Sequence, residues 1–271
     1  RAARGGAAAA RRSGRCLVTT MSNVAAAEWL KLRTIPLHYI LVSVGAAFVM
    51  VIVVLVAALN GDPEFFFSDD LANLVGVTSV VAALSVSGVS VLAITGEFAH
   101  NTIRPTLAAV PDRSRAFLGK GLVLAAVAAA VGAITAWVPY LVGLVIFNAR
   151  GADIGISGDD GSLAILVGLP FFFVLLALFG YGLGLLLRSL PGALAIVILW
   201  PLLVEGIIAS VLNVAGVDEP LQFLPYQSSF ALVTADTDDF FYGRVGGGVF
   251  FGLVVLVLIA GGIAINSRRD V

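Results

Sequence analysis

The chain consists of long apolar runs separated by short polar segments. Each run is at least as long as the roughly 20 residues that a helix needs to cross a hydrocarbon core of about 30 Å. Apolar residues follow one another within the runs and do not alternate with polar ones, as the strands of a membrane β-barrel would require. The pattern therefore predicts an all-α integral membrane protein with six transmembrane helices. The runs cover residues 37–59, 74–95, 121–147, 163–187, 193–214 and 245–265.

Composition agrees with this pattern. Hydrophobic residues make up 59% of the 271 residues and charged residues only 12%, whereas soluble domains carry about 25% charged residues. Residues 22–271 are accordingly predicted to form a single transmembrane domain. Residues 1–21 are predicted to be a basic, low-complexity extension, because Ala, Arg and Gly dominate them and Met21 resembles a natural start.

Basic and acidic residues occupy alternate loops. Of the 16 basic residues, only Arg150 and Arg244 lie outside the N-terminal segment, the 96–120 loop, the end of the fourth run and the C-terminal tail. The intervening loops are acidic. Because basic loops stay on the cytoplasmic side of a membrane, both termini are expected to be cytoplasmic, in the cell inner membrane.

The residues before the first run predict a short amphipathic helix over 22–35. Trp29 is expected at the level of the lipid headgroups, where aromatic rings are enriched. Lys31 and Arg33 are expected beside it as basic anchors. The sequence leaves two roles open for this helix, an interfacial anchor or a lever that transmits motion to the first transmembrane helix.

Motifs for catalysis and for metal binding are absent from the sequence. Gly119, Lys120 and Gly121 lack the upstream glycine and the hydroxyl residue of a phosphate-binding loop. His38 and His100 are the only histidines, and no H-E-x-x-H motif is present. The chain is therefore expected to have no catalytic residue, no metal site and no ATP site of its own. No nucleic-acid partner is expected.

Three polar side chains within the apolar runs are candidates for a translocation path. Glu205 is the one ionisable residue well inside a run, and an acid is costly enough to bury in a membrane to suggest function. Thr78 and Ser85 share a helix face through their i, i+7 spacing. Each has a structural alternative. Glu205 would be a hydrogen-bonded carboxyl at a helix interface, and the hydroxyl residues would serve close helix packing.

Two pairs of glycines in the runs have the spacing G-x-x-x-G. Gly180 and Gly184 lie in the fourth run, and Gly248 and Gly252 lie in the sixth. Small residues at this spacing let helix backbones approach closely in membranes. Both pairs therefore predict tight helix crossings, although the spacing does not indicate the partner helix.

The loop over 215–243 is long for a connector and mixes apolar with polar residues. It contains Pro220 and Pro225, and three aspartates lie near its end. Its apolar residues indicate that part of the loop returns to the membrane surface. Two interpretations are equally compatible with the sequence, a lid over an exit path or a packed cap without a gating role.

The polar segment between the second and third runs has the most distinctive sequence. It reads EFAHNTIRPTL over 97–107, and Val110, Pro111 and a basic stretch follow it into the third run. This segment resembles the signature loop of ABC-2 type permease subunits of bacterial exporters. The WLKLRT segment at 29–34, the six runs, the long last external loop and the Arg-rich tail resemble the same family.

The resemblance implies that the 96–120 loop is a cytoplasmic coupling loop that docks on a separate ABC ATPase subunit. ATP and Mg²⁺ would bind to that partner. A second permease chain, identical or different, would complete the translocation path. By the same resemblance, the candidate coupling residues are Glu97, Thr102, Arg104, Thr106, Arg113 and Arg115.

Two other functions remain as alternatives to an ATP-driven exporter. A secondary transporter driven by an ion gradient would use Glu205 as its carrier group, and it predicts inverted repeats or interrupted helices with charges near the membrane midplane. Glu205 is the one such charge in the sequence. A non-transporting anchor subunit would need the same loop contacts but no path through the membrane.

Overall fold

The computed structural model describes residues 21–100, 113–156, 158, 161–217, 220–235, 237 and 242–268, and within them every regular element is a helix. The short helix α1 precedes three long helices. These elements are α1 (Met21–Thr34), α2 (Pro36–Leu59), α3 (Ser68–Ala99) and α4 (Arg113–Ala149).

The second half of the chain contains two more long helices and one interrupted helix. The interrupted helix has a π-helical segment, Trp200–Val204, between two α-helical halves. The elements are α5 (Ser162–Leu187), α6 (Leu190–Leu199), α7 (Glu205–Val214), α8 (Pro225–Ser229) and α9 (Gly243–Arg268).

Six helical segments are long and apolar enough to cross a membrane by their length and composition. They are α2, α3, α4, α5, the interrupted helix from α6 to α7, and α9. This confirms the prediction of an all-α protein with six transmembrane helices. The helices α3, α4 and α9 extend beyond their apolar runs at both ends. The carboxylate of Asp70 accepts a hydrogen bond from the Phe67 backbone N–H at the start of α3.

The helix α5 lies at the centre of the bundle and packs against α3, α4 and α9. At Gly180 a Cβ atom would lie 2.6 Å from the backbone oxygen of Ser87 in α3. The Ser87 hydroxyl donates a hydrogen bond of 2.6 Å to the Leu176 carbonyl of α5. The tight crossing that Gly180 and Gly184 predict is therefore confirmed, and its partner is α3.

The second glycine pair behaves differently. The nearest atoms to a Cβ placed at Gly248 or Gly252 belong to the side chains of Leu232 and Leu175, at 3.1 and 3.5 Å. Helix backbones do not meet at these two positions of the described chain. The prediction of a tight helix crossing at this pair is therefore wrong, because a short loop segment and a flexible leucine occupy the space beside α9.

The connections between the long helices lie at two opposite ends of the bundle. We call the end with α1 and the α3–α4 connection the basic end, and the other the acidic end. Arg150, at the acidic end, donates hydrogen bonds of 2.7 and 2.8 Å to the carbonyls of Ala57 and Asn60. These carbonyls belong to the C-terminal end of α2, which favours a cation.

The fifth span departs from the continuous helix that its apolar run predicts. Pro201 lies within the π-helical segment, and proline has no N–H to donate to the carbonyl one turn earlier. The regular series of α-helical backbone hydrogen bonds is therefore interrupted at this point. Glu205 is the first residue of α7, directly after the interruption.

Residues 220–235 fold back into the acidic end of the bundle, and we call them the cap. The Tyr226 ring packs against the rings of Phe172, Phe230 and Phe251, with centroids 6.2, 5.2 and 6.1 Å away. The cap is therefore packed into the bundle. Its buried residues include Tyr226, Ser228, Ser229, Ala231, Leu232 and Val233.

Candidate functional site: a charge cluster at the basic end

Four charged side chains from α1, α3 and α4 meet at the basic end. Lys120 Nζ lies 2.6 Å from Glu28 Oε2 and 2.8 Å from Glu97 Oε1. Lys31 Nζ lies 2.7 Å from Glu28 Oε1 and 2.8 Å from the same Glu97 oxygen. Each ammonium group thus bridges both carboxylates. We call Glu28, Lys31, Glu97 and Lys120 the charge cluster.

The charge cluster is largely withdrawn from solvent. Glu28, Glu97 and Lys120 are buried, whereas 43% of the Lys31 side chain is exposed. Moving a single charge out of water costs roughly several kcal/mol of free energy. Two positive and two negative charges balance here, and the short charge-assisted hydrogen bonds offset that cost. The removal of any one member would leave a buried charge without its full set of partners.

The pKa values of the two α1 members reflect these ion pairs. Burial raises the pKa of Glu28, but the ammonium groups of Lys120 and Lys31 outweigh burial and hold the pKa below its ordinary value. Burial lowers the pKa of Lys31, whereas hydrogen bonds to Glu28 and Glu97 raise it, and the net shift is upward. Both shifts favour the charged forms.

The charge cluster lies where α3 ends and α4 begins. Glu97 lies in the last turn of α3 and Lys120 lies near the start of α4. The end of α3 and the start of α4 therefore lie beside the cluster. Through Lys31 the cluster holds α1 against α3, and through Glu28 it holds α1 against α4.

The structure brings one predicted coupling residue, Glu97, into this cluster. Arg115 is exposed in the first turn of α4. Arg113 begins α4, and its side chain lies outside the described residues. Thr102, Arg104 and Thr106 also lie outside the described residues.

The predicted anchor residues of α1 point in different directions. Trp29 is 53% exposed, whereas Lys31 is turned towards Glu97. Arg33 belongs to α1, and its side chain lies outside the described residues. The face of α1 that meets the bundle is thus the charged one.

Glu28 and Lys120 were not among the site residues that the sequence predicted. The signal for Glu28 is its i, i+3 spacing to Lys31, which places the two side chains on one helix face. For Lys120 the signal is a lysine close to a long apolar run, where a buried partner is needed. Their pairing across 92 positions of the chain requires the fold.

Within the described part of the chain, no hydrogen bond joins the three candidates for a translocation path to one another. The Thr78 hydroxyl donates to the Leu74 carbonyl at 2.6 Å, and the Ser85 hydroxyl donates to the Val81 carbonyl at 2.9 Å. Each hydroxyl therefore bonds to a backbone carbonyl of its own helix. Glu205 lies at the other end of the molecule from the charge cluster, where it bonds to the cap.

The fold defines a multi-pass, all-α membrane protein with buried ion pairs beside the connection between its second and third spans. The chain belongs to the family of ABC-2 family transporter proteins, whose family model matches residues 25–215. This match includes the whole charge cluster and the first five spans. A comparison with curated proteins gave no match.

Proposed function

We propose that the chain is the permease subunit of an ATP-driven exporter in the cell inner membrane. The basic end faces the cytoplasm, and the 96–120 loop couples the bundle to a separate ABC ATPase subunit that binds ATP and Mg²⁺. A second permease chain, identical or different, completes the translocation path. Membership of the transporter family and the charge distribution support this proposal.

The charge cluster is the observation that carries the proposal. Glu97 and Lys120 lie on either side of the proposed docking loop. Glu97 is bound to α1 through Lys31, and Lys120 is bound to α1 through Glu28. A displacement of the loop would move α1, α3 and α4 together, because separating buried ion pairs costs several kcal/mol, roughly. The arrangement therefore suits the transmission of motion from a partner into the bundle.

The other predicted residues take roles around this cluster. Thr102, Arg104, Thr106, Arg113 and Arg115 supply polar and cationic groups for contact with the ATPase subunit. In α1, Trp29 and Arg33 hold the helix at the membrane interface. Lys31 joins α1 to the cluster.

Copurification with Arg104→Ala tests the proposal. The tagged chain is purified from its native membranes in mild detergent, and the bound proteins are identified. The matched control is Arg269→Ala, which removes one arginine from the C-terminal tail on the same side of the membrane. Arg104→Ala should reduce recovery of a P-loop ATPase about tenfold, which corresponds to about 1.4 kcal/mol. The control should recover as much as the wild type.

Equal recovery of the ATPase with all three chains would contradict docking through Arg104. If folded wild-type chain recovers no ATPase at all, the exporter proposal fails. Each chain is checked by size-exclusion chromatography, so that a loss of the ATPase is not confused with a loss of fold.

One observation favours a second function, transport driven by an ion gradient. The fifth span is interrupted directly before Glu205, and interrupted helices beside charges are typical of secondary transporters. Against this function, the Glu205 carboxylate is occupied by hydrogen bonds from the chain itself. Folded chain without an ATPase would make Glu205→Gln, assayed for ion-coupled transport, the next experiment.

A further inference from the structure

Two cavities lie among α1, α2, α3 and α4. The polar cavity has a volume of about 460 Å³, and its lining includes the whole charge cluster and His100. The apolar cavity has a volume of about 270 Å³. His38 lines both of them, so the two cavities adjoin, and we call them together the crevice. The other residues that line the apolar cavity are Trp29, Tyr39, Val42, Val89, Val127 and Val131.

The crevice extends from the charge cluster towards the middle of the spans. On α4, the lining residue Val131 lies three helical turns beyond Lys120, which is about 16 Å at a rise of 1.5 Å per residue. On α3, Val89 lies about 12 Å from Glu97 in the same direction. Half of a hydrocarbon core measures about 15 Å. The crevice is therefore about as deep as one leaflet of a bilayer.

The polar cavity has hydrogen-bond donors that an anion could use. Both carboxylates that line it, Glu28 and Glu97, are already bonded to ammonium groups. Within the described residues, the Lys31 ammonium bonds with two of its three N–H groups. Because 43% of the Lys31 side chain is exposed, its third N–H can reach a ligand. The His100 imidazole adds a further nitrogen. A phosphate oxygen therefore fits this cavity better than a cation does.

The apolar cavity limits which anion can fill the crevice. Its walls are aliphatic and aromatic side chains, so a small hydrated anion gains nothing from entering it. A ligand that fills both cavities must carry an apolar chain next to its anionic group. Trp29 and Tyr39 are about half exposed at the edge of the apolar cavity, which leaves it open to the surrounding membrane. Membrane phospholipids have this chemistry and surround the chain.

We propose that the crevice binds one anionic phospholipid. Its phosphate lies in the polar cavity beside Lys31 and His100, and one acyl chain follows α4 through the apolar cavity, past Trp29 to Val131. The lipid thus fills the space between α1 and the bundle and holds α1 beside the charge cluster. That the lipid comes from the cytoplasmic leaflet rests on the proposed function.

Quenching of Trp29 fluorescence by brominated lipid tests the site, because bromine on an acyl chain quenches a tryptophan that it contacts. The purified chain is reconstituted into bilayers of equal parts phosphatidylglycerol, which is anionic, and phosphatidylcholine, which is zwitterionic. In one sample only the first lipid is brominated, and in the other only the second. The chain has three tryptophans, so the Trp29→Phe variant identifies the part of the signal that Trp29 contributes.

Trp29 should contact phosphatidylglycerol in preference to phosphatidylcholine by about fivefold. This ratio corresponds to about 1 kcal/mol, the attraction of one basic residue for an anionic headgroup. The emission that remains in Trp29→Phe should show no preference. Equal quenching of Trp29 by the two brominated lipids overturns the proposal.

Two variants on α4 test the apolar cavity without changing any charge. Val131→Phe places a ring in the space of the acyl chain and should abolish the preference. Val138→Phe makes the same change two turns further along α4, at an exposed position outside the crevice, and should keep it. A preference that survives Val131→Phe, or that Val138→Phe also abolishes, overturns the crevice as the site.

Two further variants test the polar cavity. Lys31→Gln removes one positive charge from the crevice and should reduce the preference about fivefold, so that the two lipids quench Trp29 equally. Arg269→Gln removes one positive charge from the C-terminal tail and should keep the preference. An equal loss in both variants would mean that the overall charge of this end attracts the lipid, which overturns the polar cavity as the headgroup site. Size-exclusion chromatography checks the fold of each variant, and the α4 pair decides alone if Lys31→Gln does not fold.

Failure of the lipid site can be distinguished from failure of the proposed function. The measurement uses the purified chain without ATP, an ATPase or an ion gradient. A preference for phosphatidylglycerol in a chain that recovers no ATPase would support the lipid site and overturn the exporter alone. Recovery of an ATPase by a chain without this preference would do the reverse.

Discussion

Lys120 illustrates how a single residue stabilises a contact between three helices. Its ammonium group bonds to one carboxylate from α1 and one from α3, so that it is buried with both charges compensated. A lysine at the end of an apolar run is visible in the sequence. Its partners are not, because Glu28 and Glu97 come from segments far from it and far from each other.

Lys120→Met should destabilise the protein, because it leaves Glu28 and Glu97 buried with only Lys31 between them. The loss of one partner from a buried ion pair costs about 3–5 kcal/mol, so the Tm in detergent should fall clearly. Tryptophan fluorescence during heating measures it. Lys120→Arg keeps the charge and should lose less. A Lys120→Met chain with the same Tm as the wild type would show that the charge cluster makes no net contribution to stability.

Stability should also depend on pH through the charge cluster. The pKa of Glu28 is lower in the folded chain than its ordinary 4.5, so its contribution is present above that value and is lost as the pH falls through the folded pKa. The pKa of Lys31 is raised above 10.5, so its contribution is complete below 10.5 and is lost as the pH rises through the folded pKa.

The comparison is with the double variant Glu28→Gln, Lys31→Gln. The Tm difference between wild type and variant should be largest at intermediate pH and should shrink at both limits. A difference that stays constant across acid and alkali would mean that these ion pairs do not contribute.

At the scale of helices, the sequence predicted the six spans well and their contacts poorly. Apolar runs report directly which segments leave water, since every backbone polar group must be satisfied within a membrane. The interruption at Pro201 was not predicted, because proline can also kink an otherwise continuous helix. The glycine spacing was correct for Gly180 and wrong for Gly248, because spacing does not show what lies opposite.

Gly180→Ala and Gly252→Ala should therefore have opposite effects. At Gly180 the new methyl group meets backbone atoms of Ser87, and overpacking costs about 1–3 kcal/mol. At Gly252 the nearest atom is the flexible end of Leu175, at 3.5 Å, and alanine stabilises a helix by up to about 1 kcal/mol. The Tm should fall for the first and stay level or rise for the second. A Tm that falls for Gly252→Ala and not for Gly180→Ala would contradict the close crossing of α3 and α5.

The same limit applies to the candidate site. The sequence indicated that Glu97 and the loop after it were distinctive, and that Glu205 was unusual. The contacts of Glu205 with the cap could not be predicted from the sequence, because their donors in the cap are backbone N–H groups. Such donors cannot be recognised from the identity of a residue. The glycines that face the cap, Gly76, Gly168 and Gly247, are likewise scattered over three runs rich in glycine.

For the whole molecule, basic and acidic loops alternate along the sequence, and Arg150 is one of the two basic residues that depart from this alternation. The exception described at the acidic end, Arg150, bonds to the last carbonyls of α2, so its position has a structural reason. Arg150→Gln should lower the Tm slightly because these carbonyls lose a charged donor at an exposed position, where a cation at a helix C-terminus contributes about 0.3–1 kcal/mol. Labelling of Asn213→Cys, at an exposed position of α7, by a membrane-impermeant maleimide added outside the cell should be unchanged. Altered labelling would instead give Arg150 a role in orientation.

The four members of the charge cluster also leave the ribosome at different times. Glu28 and Lys31 are made first, Glu97 follows 66 positions after Lys31, and Lys120 comes 23 positions after Glu97. N-terminal parts of a chain are the first to be available during synthesis. The charged side chains of α1 therefore lack part of their ion-pair partners until the start of α4 has been synthesised. A chain that stops before residue 120 presents two carboxylates that share one lysine. The balanced cluster can therefore form only in chains that have been synthesised into their third span.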